Sequence, residues 1–213
     1  MTDNGRIPKM SDAKKIMEMI KEHDITYVDL RFTDIAGKMQ HVTQHIDTID
    51  EDALNEGFMF DGSSIAGWKA INESDMTLMP DLYRAYIDPF FAQPTLALFC
   101  DVLEPSSGEA YDRDPRGTAK AALAHIESLG IADTAFFGPE AEFFIFEDVK
   151  IDVSMNRGLY SVDSVEGPYN SARKYGEGNL GHRPGVKGGY FPVPPVDSGQ
   201  DIRSEMVSVM ADM

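Results

Sequence analysis

The first half of the chain is organised around residues 25–44, which read ITYVDLRFTDIAGKMQHVTQ. Residues 25–32 are rich in β-branched and aromatic side chains, which is typical of a β-strand. Residues 34–37 have the composition of a turn, and residues 38–44 form a second, more polar strand. The stretch therefore predicts a β-hairpin.

A helix is predicted before this hairpin, and further strands are predicted after it. Ser11 is a candidate N-cap for the helix. The apolar positions that follow recur on one helical face: Ile16, Met19, Ile20 and His23. Beyond an acidic stretch at residues 47–56, apolar strand-like runs recur at residues 76–79, 83–87 and 96–103. The first half is therefore expected to form a small, mostly antiparallel sheet crossed by a helix.

A connector separates the two halves of the chain. Residues 103–113 are rich in turn formers and lack periodicity, so a domain boundary is predicted near residue 113, between domains of residues 1–113 and 114–213. Asp114 followed by Pro115 predicts a helix start, and Gly130 predicts its end. One face of this helix is apolar: Ala119, Ala122, Leu123, Ile126 and Leu129.

The second half combines an aromatic strand, a long loop and a helix. The strand is predicted over residues 135–146, which read AFFGPEAEFFIF. A loop with many Gly and Asn residues is expected from residue 152 to about residue 196, and loops of that length usually carry function. Ser198 and Asp201 form an S-x-x-D helix start. That helix has no closing signal, so Met213 is expected to lie within a longer protein.

Composition and charge narrow the range of partners. The 42% hydrophobic content supports a buried core, and 19 Lys and Arg against 36 Asp and Glu give a formal net charge of −17. Such a charge repels phosphate backbones and anionic lipids, so neither nucleic acid nor a membrane is expected as a partner. No apolar run has the length of a signal or membrane span, which favours a cytoplasmic location. Cys100 is the only cysteine, so a metal site must use oxygen or imidazole ligands.

Two glutamates in the aromatic strand are candidate metal ligands. On a strand, Glu140 and Glu142 would share one face with Phe144 and Phe146. Buried carboxylates must be protonated, paired with bases or neutralised by a cation, and oxygen ligands suit Mg²⁺ or Mn²⁺. The alternative is a strand whose first half faces water, with both glutamates solvated. Spacing alone does not decide between these two interpretations.

Other patterns carry less chemistry. Residues 176–181 match G-x-G-x-x-G, but no apolar strand precedes them and no helix can follow, so a dinucleotide fold is rejected, and no P-loop is present. Arg183 and Lys187 could approach phosphates, or belong to a surface turn. His41 and His45 would lie about 13 Å apart on a strand, too far for one ion. Residues 60–64 are typical of a turn in which Asp61 caps local N–H groups.

Five stretches together resemble the bacterial type I glutamine synthetases. They are VDLRFTD at 28–34, MFDGSSI at 59–65, INESDM at 71–76, FGPEAEFF at 137–144 and HRPGVKGGYFPVPPVD at 182–197. The resemblance runs from about Met10 to the last residue, and residues 1–9 look like a short extension. It implies an α+β fold, with an N-terminal β-grasp domain followed by the truncated start of the glutamine synthetase catalytic domain. It also implies a homo-oligomer of twelve subunits in two stacked rings.

The resemblance further implies a reaction. ATP phosphorylates the γ-carboxylate of L-glutamate, and ammonia then displaces phosphate to give L-glutamine. Two Mg²⁺ or Mn²⁺ ions per site would neutralise the phosphates. Residues beyond Met213 would supply the remaining metal ligands and the substrate clamps, so this chain alone is expected neither to bind Mn²⁺ tightly nor to turn over.

By similarity, each candidate residue has a role in that reaction. Glu140 and Glu142 match the first ligand of each metal ion, and Asp61 matches the residue that holds ammonium and helps take its proton. Ser64 and Asp75 shape the same corner, and Tyr190 lines the cavity. The loop at residues 169–184 would point to the central channel of the ring, and the N-terminal domain of one subunit would close the catalytic site of its neighbour.

Two other hypotheses remain open at this stage. The chain could be a non-catalytic short paralogue that docks on full-length subunits and regulates the ring. It could also be an unrelated acidic module that binds divalent ions.

Overall fold

A computed structural model describes residues 12–171, 173–174 and 183–213. The predicted cap Ser11, the extension 1–9 and the glycine pattern 176–181 lie outside the described residues. The chain divides into two compact units, one reaching to Phe136 and the other spanning Phe137–Asp212. Among the described residues, the helices are all too short or too polar to cross a membrane.

The first unit is a six-stranded sheet with three helices. Its elements are α1 (Asp12–Glu22), β1 (Tyr27–Thr33), β2 (Met39–His45), α2 (Glu51–Glu56), β3 (Phe58–Asp61), β4 (Asp75–Pro80), β5 (Tyr86–Ile87), β6 (Thr95–Leu103) and α3 (Pro115–Ser128). The strand order is β2-β1-β6-β4-β3, with β5 beside β6. Neighbouring strands are antiparallel except β1 and β6, which run parallel. The predicted mostly antiparallel sheet with a helix is confirmed.

Strand alternation places the core on one face of this sheet. Alternate residues of β1 and β6 point to the same side and pack with the apolar stripe of α1. The residues that these three elements contribute to the hydrophobic core are Val28, Leu30, Phe32, Leu96, Leu98, Cys100, Val102, Ala13, Ile16 and Ile20. Each fully buried Leu or Ile contributes about 1.5–3 kcal/mol. Burial raises the pKa of the Cys100 thiol to about 12, so this residue acts as a small apolar side chain.

The opposite face of β1 is polar and is organised by Asp29, whose side chain is only 1% exposed. The Asp29 carboxylate accepts hydrogen bonds from Arg31 Nε and Thr43 Oγ1, both at 2.7 Å, and His41 Nδ1 lies 2.6 Å away. The Arg31 guanidinium also binds Asp88 at 2.6 Å. Burial would raise the pKa of Asp29, but the hydrogen bonds that it accepts outweigh burial and hold this pKa below its ordinary value.

We expect Asp29→Asn to lower the free energy of unfolding by about 2–3 kcal/mol at neutral pH, because charge-assisted hydrogen bonds are lost. A lowered folded-state pKa stabilises the protein above the ordinary carboxyl pKa of about 4, and this stabilisation is lost as the pH falls further. Urea unfolding at pH 7 and at about pH 3 should therefore show a smaller difference between wild type and variant in acid. Asp52→Asn, at an exposed position of α2, is the control. An equal difference at both pH values would contradict this account.

The start and end of α3 follow the predicted signals. The Asp114 carboxylate caps the helix by accepting from Arg116 N at 3.0 Å, and it also accepts from Val102 N of β6 at 3.1 Å. Pro115 is the first helical residue, and Gly130 follows the helix with a φ of 65°. These predictions are confirmed. The predicted apolar face is not buried in the described residues, since Leu123 is 38% exposed.

The second unit contains a hairpin and a helix. Strands β7 (Asp148–Ser154) and β8 (Arg157–Asp163) pair with each other, and α4 spans Gln200–Asp212. The predicted final helix is confirmed. The long loop predicted from residue 152 is wrong over its first part, because residues 152–163 belong to this hairpin. Apolar residues alternate with polar ones along β7, which is typical of a strand.

Candidate functional site

Three of the predicted site residues lie where β3 turns into β4. The antiparallel register pairs Asp61 directly with Asp75, and Gly62 N donates to the Ser74 carbonyl oxygen at 2.7 Å. Ser64 ends the short 3-10 turn Gly62–Ser64 that follows Asp61. The fold therefore brings these three exposed side chains to one end of a strand pair.

Local hydrogen bonds fix the orientation and charge of Asp61. Its Oδ1 accepts from Ser63 N at 2.9 Å and from Ser63 Oγ at 2.6 Å, which confirms the predicted capping turn. The side-chain hydrogen bond from Ser63 is the main cause that lowers the pKa of Asp61 below the ordinary carboxyl value. Asp61 is therefore an exposed anion at neutral pH.

Gly62 is required by close packing beneath this turn. A Cβ atom at position 62 would lie 2.3 Å from Sδ of the fully buried Met76 and 3.2 Å from the Ser74 carbonyl oxygen. No larger residue fits without moving the buried strand. The absence of a side chain at position 62 therefore lets the turn pack directly against β4.

Glu140 and Glu142 are found in a different local structure from the one predicted. The predicted strand over residues 135–146 is wrong, because these residues form no ladder with any described segment. Both glutamates are exposed, as are their aromatic neighbours, with Phe144 83% exposed. The Phe144 and Phe146 rings stack with centroids 5.8 Å apart, which fits an extended backbone with alternate residues on one side.

The physical reason for the difference is that a strand is stable only with a partner. Side-chain pattern can make a segment suitable for a sheet, but the ladder hydrogen bonds must come from another strand. The nearest strands along the chain, β7 and β8, are paired with each other. Of the two interpretations that the sequence left open, the described chain shows the one in which both carboxylates are solvated.

Tyr190 lies in the second unit, in an irregular segment, and is 85% exposed. Its ring packs against Phe191, with centroids 5.4 Å apart. The six predicted residues thus divide evenly: Asp61, Ser64 and Asp75 belong to the first unit, and Glu140, Glu142 and Tyr190 to the second.

Comparison with known proteins identifies both halves of the chain. Residues 24–105 match the family profile described as glutamine synthetase, beta-grasp domain, and residues 112–213 match the profile described as glutamine synthetase, catalytic domain. The chain belongs to the glutamine synthetase family. The two matches confirm the predicted α+β fold, a β-grasp domain followed by the start of a glutamine synthetase catalytic domain.

Individual relatives support the same assignment. The chain is 65% identical to the glutamine synthetase of Azospirillum brasilense over 204 residues, and 60% identical to that of Rhizobium meliloti over the same length. Each alignment covers 96% of this chain and 44% of the relative. The chain therefore spans less than half the length of the curated glutamine synthetases that it matches.

A solved glutamine synthetase shows the same fold. The cryo-EM structure of the Plasmodium falciparum protein superposes with a TM-score of 0.76 at 23% identity. The match covers 96% of this chain and 40% of that one.

The donor chemistry of Glu140 and Glu142 fits the divalent ions that the glutamine synthetase family implies. Carboxylate oxygens are the ligands that Mg²⁺ and Mn²⁺ prefer. However, no three acidic, imidazole or thiol groups gather into an ion site anywhere in the described ranges. Each glutamate has a carboxylate that suits such an ion, but the described ranges alone bring together no complete coordination shell.

The structural role of Trp68 was not predicted from the sequence. Trp68, the only tryptophan, is buried and lies between the family stretch that carries Asp61 and the one that carries Asp75. A large aromatic residue inside a polar loop is the signal that could have marked it as an anchor.

Proposed function

We propose that the complete protein joins L-glutamate and ammonia to form L-glutamine at the expense of ATP. A γ-carboxylate oxygen of glutamate attacks the γ-phosphorus of ATP, and ADP leaves. The nitrogen of ammonia then attacks the acyl carbon of γ-glutamyl phosphate, and inorganic phosphate leaves. The observation that carries this proposal is the match of both domains, in order, to the glutamine synthetase profiles.

In this proposal, Asp61 holds ammonium at the site. Its lowered pKa keeps the carboxylate charged, and an exposed anion attracts a cation. An ammonium ion is a far weaker acid than a carboxylic acid, so a carboxylate with a lowered pKa holds the cation more readily than it takes its proton. Proton transfer to Asp61 requires its pKa to rise, which desolvation on closure of the site would cause. Ser64 and Asp75 complete the polar corner.

Glu140 and Glu142 each provide one carboxylate to one of two Mg²⁺ or Mn²⁺ ions in the proposed site. Such ions, when bound, neutralise phosphate charge during phosphoryl transfer. Tyr190 lines the cavity near the nucleophile. The proposed assembly is a homo-dodecamer in the cytoplasm, in which the β-grasp domain of one subunit closes the catalytic site of its neighbour.

A chimera tests this function directly. It consists of residues 1–213 followed by the remaining catalytic-domain sequence of the Azospirillum brasilense relative, which is 65% identical over the matched region. We expect phosphate release and glutamine formation that require glutamate, ammonium, ATP and Mg²⁺ together. Phosphate release that ignores ammonium, or an assembled chimera without glutamine formation, would refute the proposal. Addition of the 213-residue chain to the intact relative tests the docking alternative, which predicts a change in the relative's activity.

A further inference from the structure

The proposed ammonium corner consists of Asp61, Ser64 and Asp75. The loop between the two aspartates contacts the segment that connects the two halves of the chain. We call residues 62–74 the site loop, and we keep the name connector for residues 104–113, the part of the predicted connector that follows β6. Arg113 of the connector donates from Nη1 to the carbonyl oxygens of Gly67 and Trp68, the latter at 3.3 Å. Lys69 of the site loop binds Glu104 of the connector through Nζ and Oε1, at 2.5 Å.

Aromatic packing joins the same two segments. Trp68 is 6% exposed, and its ring lies 5.3 Å from that of Tyr111 in the connector. Phe32 and Phe60 complete the cluster, with ring centroids 5.5 and 6.2 Å from Trp68. Lys69 Nζ lies 5.2 Å from the centre of the Tyr111 ring, so the ammonium group also contributes a cation–π contact.

The buried indole N–H of Trp68 favours opening of the site loop. Trp68 Nε1 is buried but has no hydrogen-bond partner among the described residues. A buried donor without an acceptor is unfavourable, and water would satisfy it if the loop moved outward. The two carbonyl contacts from Arg113 oppose that movement at the residue that bears the indole and at the one before it.

We propose that Arg113 is a positioning residue for the ammonium corner, acting through the backbone of the site loop. Strand pairing holds Asp61 opposite Asp75 at the two ends of this loop, whereas Ser64 lies within the loop, so a loop that opens at its middle displaces Ser64 relative to the two carboxylates. The inference rests on the proposed function for its chemistry, but the contact between connector and loop does not. It assigns to the connector a role in setting the affinity for ammonium, beyond joining two domains.

The single tryptophan makes the first test independent of activity. In the 213-residue chain, Arg113→Ala should raise the acrylamide quenching constant of Trp68 by about twofold or more, because local opening exposes the indole. Arg113→Lys, which keeps one charged donor, should give an intermediate value. Arg84→Ala, at an exposed arginine in the turn before β5, is the matched control and should equal wild type. Wild-type quenching in Arg113→Ala would overturn the proposal.

The second test uses the chimera. Arg113→Ala should raise KM for ammonium by about tenfold and leave KM for ATP within about twofold, with partial rescue by Arg113→Lys. Equal rises in both KM values, or no rise, would overturn the positioning role. An inactive unsubstituted chimera would refute the proposed function instead, and the quenching measurement would still decide whether Arg113 holds the loop.

Discussion

Asp61→Asn in the chimera is expected to reduce ammonium-dependent glutamine formation by about 10²–10³-fold, while KM for ATP stays within about twofold of wild type. The amide oxygen of Asn can accept the same hydrogen bonds from Ser63 N and Oγ, so the turn should keep its shape. The substitution therefore removes the negative charge and little else. Steady-state kinetics with ammonium and ATP varied separately measures both effects.

Charge and pH controls make this result specific. Asp52→Asn removes an equal charge from the exposed start of α2 and should leave both KM values unchanged. The pKa of Asp61 is lowered, so this carboxylate remains ionised throughout the range from about pH 5 to 7, and wild-type KM for ammonium should show no Asp61-dependent change there. Equal losses of ammonium and ATP affinity in Asp61→Asn would remove the ammonium role.

Glu140→Gln and Glu142→Gln are each expected to lower activity of the chimera by about 10²-fold or more at low Mn²⁺, because a neutral amide is a much weaker ligand for a hard cation. Since each residue is proposed to serve a different ion, raising Mn²⁺ should restore part of the activity in either single variant. Titration of activity with Mn²⁺ after removal of metal by a chelator provides the measurement.

A surface glutamate and the isolated chain supply the controls for this prediction. Glu127→Gln, on the exposed surface of α3, should show the wild-type response to Mn²⁺. Calorimetric titration of the 213-residue chain should show no tight Mn²⁺ site, because each ion would find one glutamate only. An unchanged metal response in both glutamate variants, or a two-ion isotherm at micromolar Mn²⁺ with the isolated chain, would contradict the ligand assignment.

Elements with local signals could be predicted from the sequence. The pair Asp114 and Pro115 marks the start of α3, since a carboxylate cap and a fixed φ act within one helical turn. The hairpin turn is equally local: Asp34 Oδ1 accepts from Ala36 N and Lys38 N, and Gly37 adopts a φ of 83°. Such features depend only on residues close in sequence, which is why pattern reasoning finds them.

Features that depend on distant partners could not be predicted in the same way. The strand predicted over residues 135–146 has suitable side chains but no described partner, whereas residues 152–163, predicted to be part of a loop, belong to the hairpin of β7 and β8. Similarly, the sequence around Asp29 does not disclose that His41, Thr43 and Arg31 close around its carboxylate. The residues of the candidate site could be named from the sequence because they lie in family motifs. The pairing of Asp61 with Asp75 could not, because it depends on the register between β3 and β4.

The parallel pairing of β1 with β6 constrains how this protein can form during translation. Tyr27 of β1 pairs with Thr95, and β6 also separates β1 from β4 in the sheet. On the ribosome, the edge of β1 that pairs with β6 therefore lacks its partner until synthesis has passed Leu103 and that segment has left the exit tunnel. Nascent chains shorter than this would leave the backbone N–H and C=O groups on that edge of β1 unpaired, and an unpaired strand edge can pair with chaperones or with other unfinished chains.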